Sequence, residues 1–488
     1  MKTGIVKISQ NQIITFSIWF VLIVLSTVLL FNSLHFVPSL YLYISTMILC
    51  TTGLFQSFKY KYVYIFSPLL QTIYASFFYC NLIGLFYFSK FNFIIFFELP
   101  SNNETFLTNC AILYFIYILC VFVPFLIYSV SGKKNLRKIK YFSKNFDNKK
   151  LKKYLTTSCI IVLTLLFLLF IVTGFTPTTA LFNLLDFRHS YTKGVANYIY
   201  VLLNIFMIIH IIILSKLFII DEKKSVFLYR NASLFFSIYI FWCIMSGARG
   251  TILTLFMCIL YTLASKKNLK INFKHILIVG LLGLSILFLM TVLFQFRNQQ
   301  KQNSLTIVEK RSVLYESLNR VDGFSNSIRY FDYLNSFNKF MFDYDEPKFV
   351  KQIVSQCTNL IPRSILSGKG YPISGEITQI IFPDAFNNNV NIVFGGIVNS
   401  FYTGGIIGII IESLLMGCVL LFMEVPFRKL IEKDMFFVNY FVWGINMPIR
   451  FFQIGILNTA VSNVIIFNIL ITIIITSYLS NIKLKIKV

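Results

Sequence analysis

The chain places its arginines where positive charge alone is not needed. Of its 11 arginines, Arg137, Arg230 and Arg428 share short basic segments with many lysines. The other eight, Arg188, Arg249, Arg297, Arg311, Arg320, Arg329, Arg363 and Arg450, lie in the opposite set of segments. On the first side lysines outnumber arginines 25 to 3; on the second the two are equal at 8 each. Lysine suffices as a point charge. Arginine adds a planar, permanently charged fork that grips phosphate or carboxylate at two points. Position sharpens the contrast. Arg249 sits in SGARGTILTL (246–255) between two apolar runs, Arg450 follows WGINMPI, and Arg297 lies just past another apolar run. An arginine at the centre of a membrane-spanning helix costs roughly 3 kcal/mol on insertion scales unless it is paired, hydrated or able to reach the interface. One arginine at such a place is an interfacial anchor. The set describes an outward-facing cavity that holds an anionic headgroup at the membrane surface, and a lipid-linked pyrophosphate fits it in charge and depth.

The elements that must position these residues are membrane helices. The 488 residues are 57% hydrophobic and only 13% charged, with a mean hydropathy of +0.73, and include 55 Phe and 27 Tyr. Repeated apolar runs of about 20 residues are the mark of a helical membrane protein. Twelve spans are expected, at 12–31, 36–55, 62–88, 107–130, 154–173, 197–220, 231–247, 249–265, 275–295, 397–423, 435–454 and 457–479. The first lacks a small-residue cleavage site and reads as a retained span. With the N-terminus inside, 28 of the 44 basic residues fall in the cytoplasmic segments, among them the run 133–153. This is the positive-inside pattern and puts both termini in the cytoplasm.

The expected fold class is therefore all-α and polytopic. Residues 1–295 form nine membrane helices, 296–396 one large periplasmic loop, and 397–488 three further helices and a cytoplasmic tail. A loop of about a hundred residues is functional far more often than not. Within it, 311–337 reads as an amphipathic helix interrupted near Asp322-Gly323, and 349–362 as a second helix stopped by Pro362. The stretch 363–384 is rich in Gly and Pro and reads as turns and irregular backbone. A smaller outer loop, 174–194, is too apolar for a solvated linker and is expected to dip back toward the interface. The span after the large loop opens with VFGGIVNSFYTGGIIGIII (393–411), whose glycines permit close helix approach and predict a distorted start.

Other chemistries find little support. The nine cysteines fall mostly inside spans and give no disulfide framework. There is no clustered set of His or Cys metal ligands, no Ser-His-Asp arrangement and no cytoplasmic Gly-rich phosphate loop. The run 133–153 is placed to meet anionic lipid, so no nucleic-acid partner is expected.

In order and spacing the chain resembles the Wzy-type polysaccharide polymerases, which include the O-antigen and enterobacterial common antigen polymerases. The resemblance runs from about residue 170 onward. It is carried by FRHSYTKG (187–194), SGARGTILTL (246–255), FQFRNQQK (294–301), NRVDGF (319–324), IPRSILSGKGYPISGE (361–376) and NMPIRFFQIG (446–455). It implies a GT-C-like fold and transfer of a growing glycan from undecaprenyl pyrophosphate to a new lipid-linked repeat unit. It implies no metal or other cofactor. Its partners would be the lipid-linked donor and acceptor, membrane lipid and a chain-length-regulating copolymerase.

Such a reaction needs cations on the leaving pyrophosphate and has use for a base at the attacking hydroxyl. Arg249, Arg297 and Arg450 are the first candidates for the pyrophosphate, followed by Arg188 and Arg363, with Arg320 and Arg329 as the loop's contribution. Asp322 and Glu376 are the candidate catalytic bases; each has a second role open to it as ion-pair partner of a neighbouring arginine. Two rival functions share this topology. An O-antigen ligase would use a histidine in the large loop, and 296–396 contains none. A lipid-linked oligosaccharide flippase would concentrate its polar groups at the bilayer midplane with repeat symmetry. Here Glu412 is the clearest midspan ionisable residue and the two halves do not match.

Overall fold

In lipid each backbone N–H and C=O must be satisfied within its own segment, so apolar runs of this length fold as helices. The computed structural model describes residues 10–33, 36–59, 72–73, 75–76, 81–88, 103–130, 148–191, 194–220, 226–246, 323–337, 348, 350, 354, 358, 373–383, 386, 394–431 and 455. Among these the protein is all-α, with no strand. Twelve helices are named here: α1 Gln10–Phe31, α2 Val37–Lys59, α3 Ile83–Phe88, α4 Glu104–Val130, α5 Asn148–Thr173, α6 Pro177–Phe182, α7 Leu184–Tyr191, α8 Gly194–Ile220, α9 Val226–Ser246, α10 Gly323–Ser336, α11 Ile373–Ile381 and α12 Gly396–Ile431. Six contain segments long and apolar enough to cross a membrane: Val37–Leu54, Glu104–Tyr128, Leu151–Thr173, Gly194–Ile211, Val226–Cys243 and Gly396–Glu424. The protein is a multi-pass membrane protein. The expected spans 249–265, 275–295, 435–454 and 457–479, and most of 62–88, lie outside the described residues.

The chain divides into two compact units. In the first, α2 packs against α1 and α4, and α10 lies against α3, α4 and α11. The side chain of Asn103 starts α4 by accepting the N–H groups of Thr105 at 3.0 Å and Phe106 at 3.2 Å, which answers two of the donors a helix start leaves open. Glycine sets how closely these helices approach. A Cβ on Gly417 of α12 would collide with the Val121 carbonyl oxygen of α4 and lie 3.0 Å from Cγ of Pro124. Pro124 has no N–H to give its own helix, and its ring fills the space beside Gly417. A Cβ on Gly53 would collide with the Trp19 ring, which is wholly buried between α1 and α2.

In the second unit α5 pairs along its length with α8, and α9 joins them. Leu155, Val162 and Leu169 of α5 are buried, while Ile160, Leu163, Phe167 and Ile171 are exposed. Both faces are apolar because one meets protein and the other meets lipid. His210 of α8 sits within hydrogen-bond distance (2.7 Å) of Ser158 on α5 and stacks 4.0 Å from Phe235 on α9, tying three helices together. Segment 174–194 holds two short helices. Thr176 caps α6 in a reciprocal capping box with Pro177 in the first turn. Phe187 of α7 is buried against Phe170, Phe175 and Tyr191. The apolarity of this loop is accounted for by that aromatic packing.

Two expectations for the large loop meet described residues. Of the amphipathic helix expected over 311–337, Gly323–Ser336 is helical as α10, and the interruption expected near Asp322-Gly323 lies at the edge of the described residues. The stretch 363–384 departs from the irregular backbone expected of it, because Ile373–Ile381 is helical. Ile373 and Ile377 lie one turn apart and are buried together with Thr378, so a helical apolar stripe outweighs the local glycine.

Gly417→Ala should destabilise the protein by about 1–3 kcal/mol, the usual cost of an overpacked contact. Phe422→Leu, on the exposed side of the same helix, should change little. Thermal denaturation of both variants in detergent checks this; equal melting temperatures would remove the case for a close α4–α12 contact.

Candidate functional site

Helix α12 is broken near its start. Gly404 has φ −166° and ψ 32°, and Gly405 has φ +61° and ψ −144°. The positive φ at Gly405, with that ψ, is a conformation essentially restricted to glycine. The break turns the chain back on itself. Ser400 Oγ lies 3.0 Å from Glu412 Oε2, although twelve residues of straight helix would separate the two by about 18 Å. A short half-helix, 396–403, therefore folds against the longer half, 406–431. A Cβ on Gly408 would collide with the Ser400 carbonyl oxygen, so the halves meet backbone to backbone. The end of the short half is answered from the segment between α10 and α11, because the Lys348 N–H donates to the Thr403 carbonyl at 2.9 Å.

The short half presents Tyr402. Its phenol donates to Glu376 Oε2 of α11 at 2.6 Å and accepts from Lys348 Nζ at 3.3 Å. Lys348 Nζ also lies 4.5 Å from the centre of the Tyr402 ring. An ammonium, a phenol and a carboxylate thus form one chain, and each bond polarises the next. Tyr402 is buried, whereas Glu376 is partly accessible. Arg329 of α10 stands 5.8 Å from the Phe382 ring centre, a cation–π contact at the end of α11. Its neighbour Tyr330 packs 6.4 Å from Tyr402. On the same helix, partial burial pushes the Asp332 carboxyl above its ordinary value.

Helix α10 is fixed by a buried relay. Tyr114 Oη of α4 donates to Ser327 Oγ at 2.7 Å, and Ser327 Oγ donates to the Phe394 carbonyl at 2.6 Å, just before α12. Phe324 is wholly buried beside Tyr87, Phe88 and Tyr114. The loop helix that carries Arg329 is thereby tied to a membrane helix and to the entry of the broken one.

Of the residues singled out in the sequence, Glu376 and Arg329 fall in this assembly, on adjoining helices α11 and α10. Arg188 lies on α7, in the second unit. Arg249, Arg297, Arg320, Asp322, Arg363 and Arg450 lie outside the described residues. The model for the family O-antigen polysaccharide polymerase Wzy matches residues 13–484. The chain belongs to this family. No curated protein and no solved structure matches it.

For this Wzy-family chain, sequence reasoning missed Tyr402 and Lys348. Tyrosine is too frequent here to single one out, and Lys348 is one of several loop lysines. The available signal was FYTGG (401–405), an aromatic pair set against the two glycines that break the helix. The relay that holds α10 should respond unevenly to mutation. Tyr114→Phe removes one hydrogen bond and should cost about 1 kcal/mol; Ser327→Ala removes two and should cost about 2 kcal/mol. Denaturation of the two variants and their double mutant measures the coupling, and additive losses would contradict the relay.

Proposed function

We propose that this Wzy-family protein polymerises a surface polysaccharide at the periplasmic face of the bacterial inner membrane. It is read as a GT-C-like fold of twelve membrane helices with both termini cytoplasmic. The donor is a growing glycan on undecaprenyl pyrophosphate, and the acceptor is a new lipid-linked repeat unit. A hydroxyl of the acceptor's non-reducing sugar attacks the anomeric carbon of the donor. The bond from that carbon to the pyrophosphate oxygen breaks, and the new glycosidic bond forms. The hydroxyl proton passes to a carboxylate, and undecaprenyl pyrophosphate leaves with its charge.

The observation that carries this reading, beyond family membership, is the Lys348–Tyr402–Glu376 chain on the broken helix. Glu376 is the base in this proposal. Tyr402 holds its carboxylate, and Lys348 keeps the phenol polarised. Asp322 is the second candidate base. Arg329 and Arg320 supply positive charge from the loop, while Arg249, Arg297, Arg450, Arg188 and Arg363 grip the pyrophosphate from the remaining outer segments. Two-point hydrogen bonds to the leaving group strengthen as its charge develops, so they act on the transition state more than on the bound substrate. The reaction as written uses no metal. A chain-length-regulating copolymerase is the expected protein partner.

A surface-polysaccharide gel on a gene-deletion strain tests the reading. Deletion should leave lipid core bearing a single repeat, and wild type should restore the ladder. Glu376→Gln should lower polymer synthesis about 100-fold or more. Arg249→Ala and Arg249→Lys, at matched expression, should each lower it by about 100-fold, because lysine restores the charge without the fork. Bare core with accumulated lipid-linked polymer would indicate a ligase instead. Core with no repeat and substrate retained inside would indicate a flippase.

A further inference from the structure

Glu412 lies in the longer half of α12 and is 2% exposed. Nothing in the proposed reaction uses it. A carboxyl group in such a place must be answered from within the protein, and the hydrogen bonds around it indicate how. Ser400 Oγ is 3.0 Å from Glu412 Oε2 and also 3.0 Å from the Gly396 carbonyl one turn back in its own half-helix. A serine hydroxyl has a single proton to donate. Thr403 Oγ1 donates to the Asn399 carbonyl at 2.6 Å while lying beside the Glu412 carboxyl, and Ser413 Oγ donates to Ile409. If Ser400 does the same, the bond between Ser400 and Glu412 needs its proton from the carboxyl. The second carboxyl oxygen, Glu412 Oε1, is buried and has no hydrogen-bond partner among the described residues. A bare carbonyl oxygen on a neutral acid is tolerable there; a bare oxygen on an anion is far more costly.

We propose that Glu412 is a positioning residue, a neutral acid whose proton bonds Ser400 and clamps the short half-helix, and with it Tyr402, against the membrane-spanning half of α12. The surroundings suit a clamp. Gly408 lets the halves touch. Gly455, with φ +77°, brings its backbone against the same spot, where a Cβ would lie 3.5 Å from Asn399 Cβ and 3.6 Å from Glu412 Oε2. Tyr402 follows Ser400 by two residues, so movement of the short half would carry the Tyr402–Glu376 bond with it. The importance of the clamp for activity rests on the polymerase reading; its chemistry does not.

Two readouts separate these. The first is an infrared difference spectrum at neutral pH between the purified wild type and Glu412→Gln. The expected result is loss of a carboxylic-acid C=O band; loss of a carboxylate band alone would overturn the proposal whatever the protein polymerises. The second is the polysaccharide gel. Glu412→Gln, which keeps the shape and a donor, should retain the ladder within about twofold. Glu412→Ala should reduce polymer at least tenfold at matched expression. A ladder lost in Glu412→Gln, or unaffected in Glu412→Ala, would contradict the clamp. As a check that does not depend on activity, a cysteine at buried Val398 should resist a maleimide in the wild-type and Gln backgrounds and react in the Ala background. Equal protection in all three would count against it.

Discussion

A helix that breaks within a membrane must have its freed backbone groups answered by the protein, because lipid offers no hydrogen bonds. The break at Gly404-Gly405 falls in a segment apolar enough to cross a membrane and imposes this constraint on α12, and much of the first unit follows from it. The Thr403 carbonyl takes the Lys348 N–H, so a loop residue becomes part of a membrane helix's end. The short half brings Tyr402 to Glu376, so a second loop element, α11, is bound to the same half-helix. Ser327 secures the Phe394 carbonyl just before the half-helix begins, which ties in α10. Three parts of the segment between α10 and α12 therefore converge on one discontinuity. A continuous α12 would carry Ser400 and Tyr402 away from Glu412 along a straight axis.

The proposed chemistry divides between two kinds of cation. Lysines concentrated in the segments read as cytoplasmic supply charge without directional demand, which suffices for orientation in the membrane. Arginines make up half of the basic residues in the outer segments, where a planar fork can recognise a phosphate. Lys348 is an instructive exception. Its ammonium meets a phenol and a ring face, and its backbone N–H closes a helix end. It works as a local organiser of Glu376 in this account, rather than as a ligand of the leaving group.

Much of the fold was legible because the membrane simplifies the problem. Periodicity carries less weight than length and apolarity: the expected spans 36–55, 107–130, 154–173, 197–220 and 231–247 each coincide with a helix, while 397–423 is split at Gly404-Gly405 between the two halves of α12. Helix ends were less legible. Helix α5 reaches back at least to Asn148, inside the basic run, because lysines continue a helix readily. The glycines of 393–411 announced a distortion, but only the backbone reveals that the chain doubles back. Of the candidate site, Glu376 and Arg329 were recognisable as polar residues in an outer loop. Tyr402 and Lys348 were not, since their importance lies in a contact between 348, 376 and 402 that no local pattern encodes. Helix α11 was hidden by the glycines and prolines around it, and its two buried isoleucines decide its form.

The central claim is that this Wzy-family protein itself joins lipid-linked repeat units. The direct measurement is reconstitution of the purified protein in liposomes with the undecaprenyl-pyrophosphate-linked repeat unit as the sole glycan substrate. The account predicts a ladder of lengthening lipid-linked chains, with one undecaprenyl pyrophosphate released for each glycosidic bond formed. Folded protein that leaves the repeat units unjoined, or only moves them across the bilayer, would contradict it.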